Sequence, residues 1–235
     1  MLLALESQAA LNNRVPIKNR RREWINKPMI EQIQWLGHGS FVIQGPPLIY
    51  INPWRIARSA FHADVILVSH DHYTHFSLAD INKVRGPGTR VIGSERVARE
   101  IEDCIVLRPW QSVCIDRVCI KAVPAYSRGQ GKYPASDGGL GFIISLNYYD
   151  IYYAGNTQAI PEMARIRPDI AILPIDGDGT LTVSEAAEVV RDMHPRWVIP
   201  SNWGSDPGGA SRFDVEDFKR SVANLAEVVV LPQHK

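Results

Sequence analysis

Three histidines occur within six positions of the segment LVSHDHYTHF, directly after the apolar run ADVILV. His70 and His72 are two residues apart, so at an extended strand end their side chains would point to the same side. His75 begins the next turn. Neutral imidazoles that converge on one point suit Zn²⁺ or a similar transition-metal ion. The segment therefore predicts a metal site where a buried strand ends.

The sequence around this cluster predicts an α/β chain of short strands followed by alternating strands and helices. ADVILVSH is a continuous apolar run of the kind buried on both faces of a sheet. SLADINKVR predicts a helix with Ser77 as its N-cap. TVSEAAEVVRDMH predicts a helix whose capping box joins Thr182 and Glu185. Two packed sheets with helices outside, in one domain, accommodate this order.

Two glycine-containing segments stand between the predicted elements. The stretch SRGQGKYPASDGGLG, residues 127–141, is too long for a hairpin turn, and its length favours a functional loop. PIDGDG carries Asp176 and Asp178 after a predicted strand. A turn with Asp-Gly chemistry is favoured for this second segment over a metal-binding role.

The overall composition describes an ordinary globular chain. It has 235 residues, of which 45% are hydrophobic and 22% charged, which fits one sizeable domain. A net charge of +1 gives no reason to expect nucleic acid or membrane as a partner. No apolar stretch approaches the roughly 20 residues of a membrane helix, and no cationic leader precedes the first apolar residues. The cytoplasm is therefore the expected compartment.

The three cysteines, Cys104, Cys114 and Cys119, do not make a disulfide framework. SVCIDRVCIK predicts a hairpin with its turn at Asp116-Arg117, which would place Cys114 and Cys119 opposite each other. Buried reduced thiols are nevertheless favoured over a cross-strand disulfide, because free cysteines are among the most buried residues.

Residues 1–30 are predicted to be an N-terminal extension, and residues 31–235 the folded domain. The extension contains a short amphipathic helix, Leu2 to Leu11, and then the basic run of Lys18 and Arg20 to Arg22. That run leaves contact with RNA or an acidic partner open, although a solvated linker is favoured because the run is short. A role of the extension in forming a homo-oligomer also stays open.

Six blocks, taken in order, resemble the metallo-β-lactamase superfamily. They are WLGHGSFVIQGPPLIYINPW, ILVSHDHYTHFS, AVPAYS, IYYAGNTQAIPEM, AILPIDGDGTLTVSEAAEVV and VIPSNWGS. The resemblance covers nearly everything from Ile33 to Pro232. The most similar branch contains L-ascorbate-6-phosphate lactonase-like proteins and, more remotely, N-acylphosphatidylethanolamine phospholipase D. It implies a four-layer αββα sandwich with a metal site at one edge, between the sheets.

The same resemblance implies that several metal ligands have been substituted. Thr74 replaces the aspartate of the pattern His-x-His-x-Asp-His. Asn156 stands where Gly-Asp-Thr carries the aspartate that bridges two metals, and Asn202 stands where the last block carries a histidine. Asn52 replaces the aspartate of Ile-Asp-Pro. The changes at Thr74 and Asn156 remove two negative charges from the ligand set, and the change at Asn202 removes a nitrogen ligand, which argues against a two-metal centre.

Two sets of candidate site residues follow from the resemblance and the loop pattern. The candidate metal ligands are His70, His72, His75, Asn156 and Asn202. The candidate substrate-binding residues are His38, which matches the family, and the aromatic residues Tyr126, Tyr133 and Trp203. No residue is assigned as catalytic.

The functional prediction is a metal-dependent hydrolase of small esters, lactones or phosphodiesters with at most one metal ion. Zinc is the first expectation for the cofactor, manganese or another divalent ion the second, and no metal at all stays open. A small molecule is the expected partner. One alternative is a catalytically inactive homologue that binds or senses a ligand. A second is an RNA-associated protein that uses the basic extension, which the low net charge disfavours.

Overall fold

The computed structural model describes residues 24, 26–57, 61–129, 131–204 and 208–234. The helix predicted from Leu2 to Leu11 and the basic run after it lie outside these residues. The described chain forms two β-sheets that face each other across a shared core.

The first sheet follows the chain order from β1 to β6. Its strands are β1 (Ile33–Gly37), β2 (Ser40–Ile43), β3 (Ile49–Ile51), β4 (Val65–Leu67), β5 (Arg90–Gly93) and β6 (Ile105–Val106). The pairs β1–β2 and β2–β3 are antiparallel, whereas β3 to β6 run parallel. Every residue of β4 is buried, which confirms the prediction made from its continuous apolar run.

The second sheet has the order β13-β12-β11-β10-β9-β8-β7. Its strands are β7 (Ser112–Ile115), β8 (Val118–Pro124), β9 (Leu140–Leu146), β10 (Tyr149–Tyr153), β11 (Ile170–Pro174), β12 (Trp197–Ser201) and β13 (Glu227–Val228). Strands β7 to β10 are antiparallel, and β10 to β13 are parallel. The ends of β10, β11 and β12 therefore meet at one edge of this sheet.

The α-helices of the described chain are short apart from two near the C-terminus. They are α1 (Met29–Gln32), α2 (Leu78–Val84), α3 (Glu95–Ala98), α4 (Val183–Met193) and α5 (Arg212–Val222), with 3₁₀ turns at Ala135–Asp137 and Pro161–Arg165. The Ser77 cap and the Thr182 capping box are both confirmed. Among the described residues, no helix has the length and apolarity to cross a bilayer.

Strand alternation explains how the layers pack. Ile151 and Tyr153 of β10 face the core between the sheets, whereas Tyr152 faces the helices. Helices α4 and α5 cover that outer face through residues such as Val190 and Phe218. On the other sheet, α2 packs against the outer face of β3 to β5. The predicted αββα sandwich is thus confirmed.

The prediction of reduced thiols in the β7–β8 hairpin is wrong. The two-residue turn at Asp116-Arg117 lies where predicted, but Cys114 and Cys119 form a disulfide. They are direct partners across the antiparallel pair, with their Cα atoms 4.0 Å apart. This close pairing sets the sulfur atoms within bonding reach, and Cys114 is exposed rather than buried.

Candidate metal centre

The three histidines of the LVSHDHYTHF segment converge in the loop between β4 and α2. Their ligand nitrogens all lie within 4.8 Å of one another, which confirms the predicted clustering. The histidines do not lie on an extended strand end, as the sequence predicted, because β4 already ends at Leu67. A turn brings the last ring into place, with the amides of His75 and Phe76 both bonded to the carbonyl of His72 at 2.8 Å.

The Nδ1 atoms of these histidines are all engaged by hydroxyl groups. Ser69 Oγ lies 2.9 Å from His70 Nδ1, and Thr74 Oγ1 lies 3.0 Å from His72 Nδ1 and 2.8 Å from His75 Nδ1. The Nε2 atoms of His70 and His75 are buried without a hydrogen-bond partner. Because a hydroxyl oxygen accepts two hydrogen bonds, Thr74 is able to accept from both of its rings. Their Nε2 lone pairs are then free for a ligand.

Burial keeps these imidazoles neutral. It lowers the pKa of His70 to about 3, with neighbouring His72 and His38 adding to the effect. Burial likewise lowers the pKa of His75 well below its usual range, and to a lesser degree that of His72. Neutral histidines with unpartnered Nε2 atoms are the donor set that a transition-metal ion requires. The residues present therefore fit a metal ion.

A buried network supports this loop from beneath. The Asn52 amide donates to Ser69 Oγ at 3.0 Å and to the Tyr153 hydroxyl at 2.8 Å, while its Oδ1 accepts from the Ser69 amide at 2.8 Å. Tyr153 in turn donates to the carbonyl of Gly39 at 2.9 Å. A Cβ at Gly39 would lie 2.5 Å from His75 Nε2, so a glycine is required there. Asn52, which stands where the family has an aspartate, thus links Ser69 to Tyr153 through hydrogen bonds.

The opposite side of the site comes from the second sheet. Asn156, Asp176 and Asn202 follow β10, β11 and β12. Asn202 Nδ2 donates to Asn156 Oδ1 at 3.0 Å. Asp176 accepts a hydrogen bond from the hydroxyl of Thr180, and the Asn202 side chain lies close enough to lower the pKa of this carboxyl. We call these three residues the amide wall, and His70, His72 and His75 the histidine wall.

Asp176 is the titratable group of the amide wall. Burial raises the pKa of this carboxyl to about 6, against the hydrogen bonds from Thr180 and Asn202 that lower it. The predicted turn at PIDGDG is present, with Gly177 and Gly179 in left-handed conformations. The sequence favoured a purely structural turn here and did not predict that the turn also places Asp176 next to Asn202.

A cavity of about 390 Å³ lies between the walls, within the size range of small-molecule sites. It is lined by His70, Asp71, His72, Ala125, Lys132, Tyr133, Pro134, Asp137, Gly139, Leu140 and Asn156. The predicted functional loop, residues 127–141, supplies most of this lining. At the rim, Lys132 pairs with Asp178, and Arg96 pairs with Asp137 at 2.8 Å.

The four predicted substrate-binding residues lie in different surroundings. Tyr133 lines the cavity, with its ring edge-on to His70 at 5.4 Å between centroids. His38 is buried beside His75, at 5.3 Å between ring centroids. Tyr126 instead donates to Glu162, and Trp203 stacks on Trp35 at 4.6 Å. Neither of these two is among the residues that line the cavity.

Several residues of the site were not singled out from the sequence. Lys132 and Asp137 lie inside the glycine-rich loop, whose length was the only signal. Ser69 directly precedes the first histidine, but nothing in the sequence around this serine predicts that its hydroxyl contacts His70 Nδ1. Thr74 was noted as a lost ligand, whereas the structure gives it two histidine contacts.

The two facing sheets and the histidine cluster at their edge define a protein of the metallo-β-lactamase class. A family model described as the beta-lactamase superfamily domain matches residues 32–202, and the chain belongs to this superfamily. The resemblance stated from the sequence blocks is thereby confirmed at this level.

Individual proteins of known sequence or structure are similar to this chain over most of its length. A UPF0173 metal-dependent hydrolase from Thermococcus kodakarensis is 31% identical over 217 residues, which cover 85% of this chain and 96% of the relative. The crystal structure of a candidate metal-dependent hydrolase from Parabacteroides distasonis superimposes with a TM-score of 0.77 at 27% identity, over 86% of this chain and 93% of that one.

The fold alone is shared with a more distant archaeal protein. Igni18, a metallo hydrolase from Ignicoccus hospitalis, gives a TM-score of 0.71 at 22% identity, over 86% of this chain and 95% of that chain. These comparisons show the superfamily but not the branch within it, so membership of the lactonase-like branch stays a prediction.

Proposed function

We propose that the protein is a hydrolase that works with one divalent metal ion, zinc in the first instance, held by His70, His72 and His75. The observation that carries the proposal is the pair of buried, unpartnered Nε2 atoms on His70 and His75. Three neutral imidazoles match catalytic zinc sites, which use three protein ligands and keep one position open. The names of the relatives, metal-dependent hydrolases, support the same activity.

The substrates that we propose are small esters and lactones, with phosphodiesters as the next class. When bound, zinc lowers the pKa of water and polarises a carbonyl or phosphoryl oxygen. The cavity of about 390 Å³ sets the size of the substrate. Burial raises the pKa of Tyr133, so its hydroxyl stays protonated and is able to donate to the substrate.

The carboxylates that line the cavity are the candidates for accepting a proton during hydrolysis. Asp71 and Asp137 both line it, and Arg96 bridges them, with 3.7 Å to Asp71 and 2.8 Å to Asp137. We assign to them the removal of the proton from the attacking water, since a carboxylate at a bridging metal position is replaced by Asn156.

Metal analysis of protein purified without chelator tests this function. We expect about one ion per chain, as for a site with three protein ligands, and its loss in the variant His70→Ala/His72→Ala. Hydrolysis of phenyl acetate and of a γ-lactone is expected to follow metal occupancy. His194→Ala is the matched control, because His194 is exposed at the end of α4. Wild-type protein with less than about a tenth of an ion contradicts the proposal and favours a ligand-binding module.

A further inference from the structure

We propose that Asn156 acts as a hydrogen-bond donor to the ligand of this cavity through its Nδ2 group, and that Asn202 and Asp176 hold it in that orientation. The group recognised is an oxygen acceptor, either a carbonyl oxygen or an oxyanion of the ligand. The inference rests on the proposed function in taking this cavity as the substrate site. It departs from the sequence prediction, in which Asn156 and Asn202 offer their oxygens to a metal.

Asp176 determines the orientation of the neighbouring amides, because an ionised carboxylate only accepts hydrogen bonds. It takes one from the hydroxyl of Thr180, and the Asn202 side chain lies beside it and favours its charged form by lowering its pKa. Asn202 must therefore present its Nδ2 group, not its oxygen, to the carboxylate. The orientation of an amide is assigned from its network, and here a charged acceptor decides it.

The same Nδ2 group of Asn202 fixes the next amide. It donates to Asn156 Oδ1 at 3.0 Å. Turning Asn156 over would set two NH₂ groups against each other. Turning both amides over would set the oxygen of Asn202 against the carboxylate of Asp176. The arrangement in which Asn156 Oδ1 is already used is the one that satisfies all three side chains.

The Nδ2 group of Asn156 is then left with protons to donate. It is buried, and among the described residues no hydrogen bond of normal geometry reaches it, although the Tyr133 hydroxyl lies near enough for Asn156 to lower its pKa. Asn156 lines the cavity. Buried amide donors without an acceptor are rare in folded proteins because they are costly. An oxygen of a bound ligand removes that cost.

The two walls are complementary in what they require. His70 and His75 offer lone pairs, which call for a cation, whereas Asn156 offers N–H groups, which call for an oxygen. Tyr133 lines the same cavity and interacts with the Asn156 side chain. Its hydroxyl is a second donor. A carbonyl compound or an oxyanion meets both donors from the amide side while it faces the histidines.

The first test uses inorganic phosphate as the probe and the variant Asn156→Ala. It distinguishes a role of Asn156 as a hydrogen-bond donor to the ligand from a role as a metal ligand. A donor role predicts zinc affinity within about twofold of wild type and phosphate binding weakened about tenfold. Zinc affinity is measured by competition with a chromophoric chelator, and phosphate affinity by calorimetry at fixed ionic strength. A fall in zinc affinity of about tenfold with unchanged phosphate binding overturns the donor role and makes Asn156 a metal ligand.

Asp176→Asn tests the orientation, since Asp176 is not among the residues that line the cavity. Removal of a negative charge near the site should by itself tighten phosphate binding. We expect about tenfold weaker binding instead, because both amides are then able to turn over. Asp178→Asn is the control, because this exposed acid pairs with Lys132, and its loss should leave phosphate binding equal or tighter. Tighter binding in Asp176→Asn, as in the control, overturns the orientation argument.

Wild-type protein supplies a third test that depends on no variant being folded. In protein labelled with ¹⁵N at asparagine side chains, phosphate is expected to shift the NH₂ signals of Asn156. Absence of saturable phosphate binding, or binding without this shift, overturns the proposal. The titration also runs on metal-free protein. A shift there, in protein that never takes up zinc, leaves the donor role standing while the proposed hydrolase function fails.

Discussion

The histidine wall and the amide wall lie on opposite sides of one cavity, which His70 and His72 line from one wall and Asn156 from the other, and the two walls offer different chemical groups. The histidine wall presents three nitrogens within 4.8 Å of one another. The amide wall presents two neutral amides, with Asn202 donating to Asn156 at 3.0 Å, next to the carboxyl group of Asp176. A second cation there would meet two amides in place of an aspartate and a histidine. We therefore expect the ligands of the amide wall, more than the histidines, to determine whether a second ion binds.

Restoring the family's ligands on the amide side should produce the largest change. The triple variant Asn156→Asp/Thr74→Asp/Asn202→His adds two negative charges and one imidazole. We expect metal content to rise from about one ion toward about two per chain, since a two-metal site needs bridging anionic ligands. Metal analysis after dialysis against buffered zinc measures this. An unchanged content would show that the two walls lie too far apart to share ions.

Removing the hydroxyl that joins the histidines should have an intermediate effect. Thr74→Val keeps the shape of the side chain but removes the oxygen that contacts His72 and His75. Loss of a group that orients metal-binding imidazoles is expected to weaken zinc binding about tenfold. Competition with a chelator gives the affinity, and Thr74→Ser should restore it. Equal affinity in Thr74→Val would assign Thr74 to packing alone.

The smallest effect is expected at the helix that follows the histidine wall. Asp80 is buried, and although burial disfavours its charge, hydrogen bonds from Lys83, Ser77 and the Arg55 amide hold its pKa below the usual range. Asp80→Asn should lower the free energy of unfolding by about 1 kcal/mol near neutral pH. Urea unfolding gives the value. Asp217→Asn is the control, because its pair with Arg220 is exposed and should contribute almost nothing.

The pH dependence of this effect has a definite sign. A carboxyl whose pKa is lower in the folded state stabilises the fold above its unfolded pKa of about 3.9. The contribution is lost as the pH falls through the lower, folded pKa. The stability difference between wild type and Asp80→Asn should therefore be full at pH 6 and shrink in acid. A difference that stays constant into strong acid would show that the charge of Asp80 is not the cause.

Local patterns predicted those parts of the molecule that are determined by neighbours in the chain. The apolar run of β4, the Ser77 cap and the Thr182 capping box each depend on residues within a few positions. The histidine wall also lies within six positions and was predicted from its spacing. The length of the loop 127–141 indicated a role that its position at the cavity now supports.

The amide wall depends on contacts that no local pattern contains. Asn156 and Asn202 are 46 residues apart and meet only because β10, β11 and β12 end at one edge. The sequence therefore showed each as a lost ligand without showing that they bond each other. The disulfide was missed for a related reason, since pairing across a hairpin is a matter of register and distance. An aromatic residue such as Trp203 gives no sign of which neighbour it stacks on.

The bridge under the histidine wall has a consequence for the stability of the domain. Tyr153 of the second sheet donates to Gly39 in the first, and Asn52 joins Tyr153 to Ser69. These bonds link the two halves of the sandwich directly beneath His75, and none of them involves a metal. The fold around the histidine wall is therefore held by bonds between protein groups, whether or not an ion is bound. We expect a chelator to leave the domain folded.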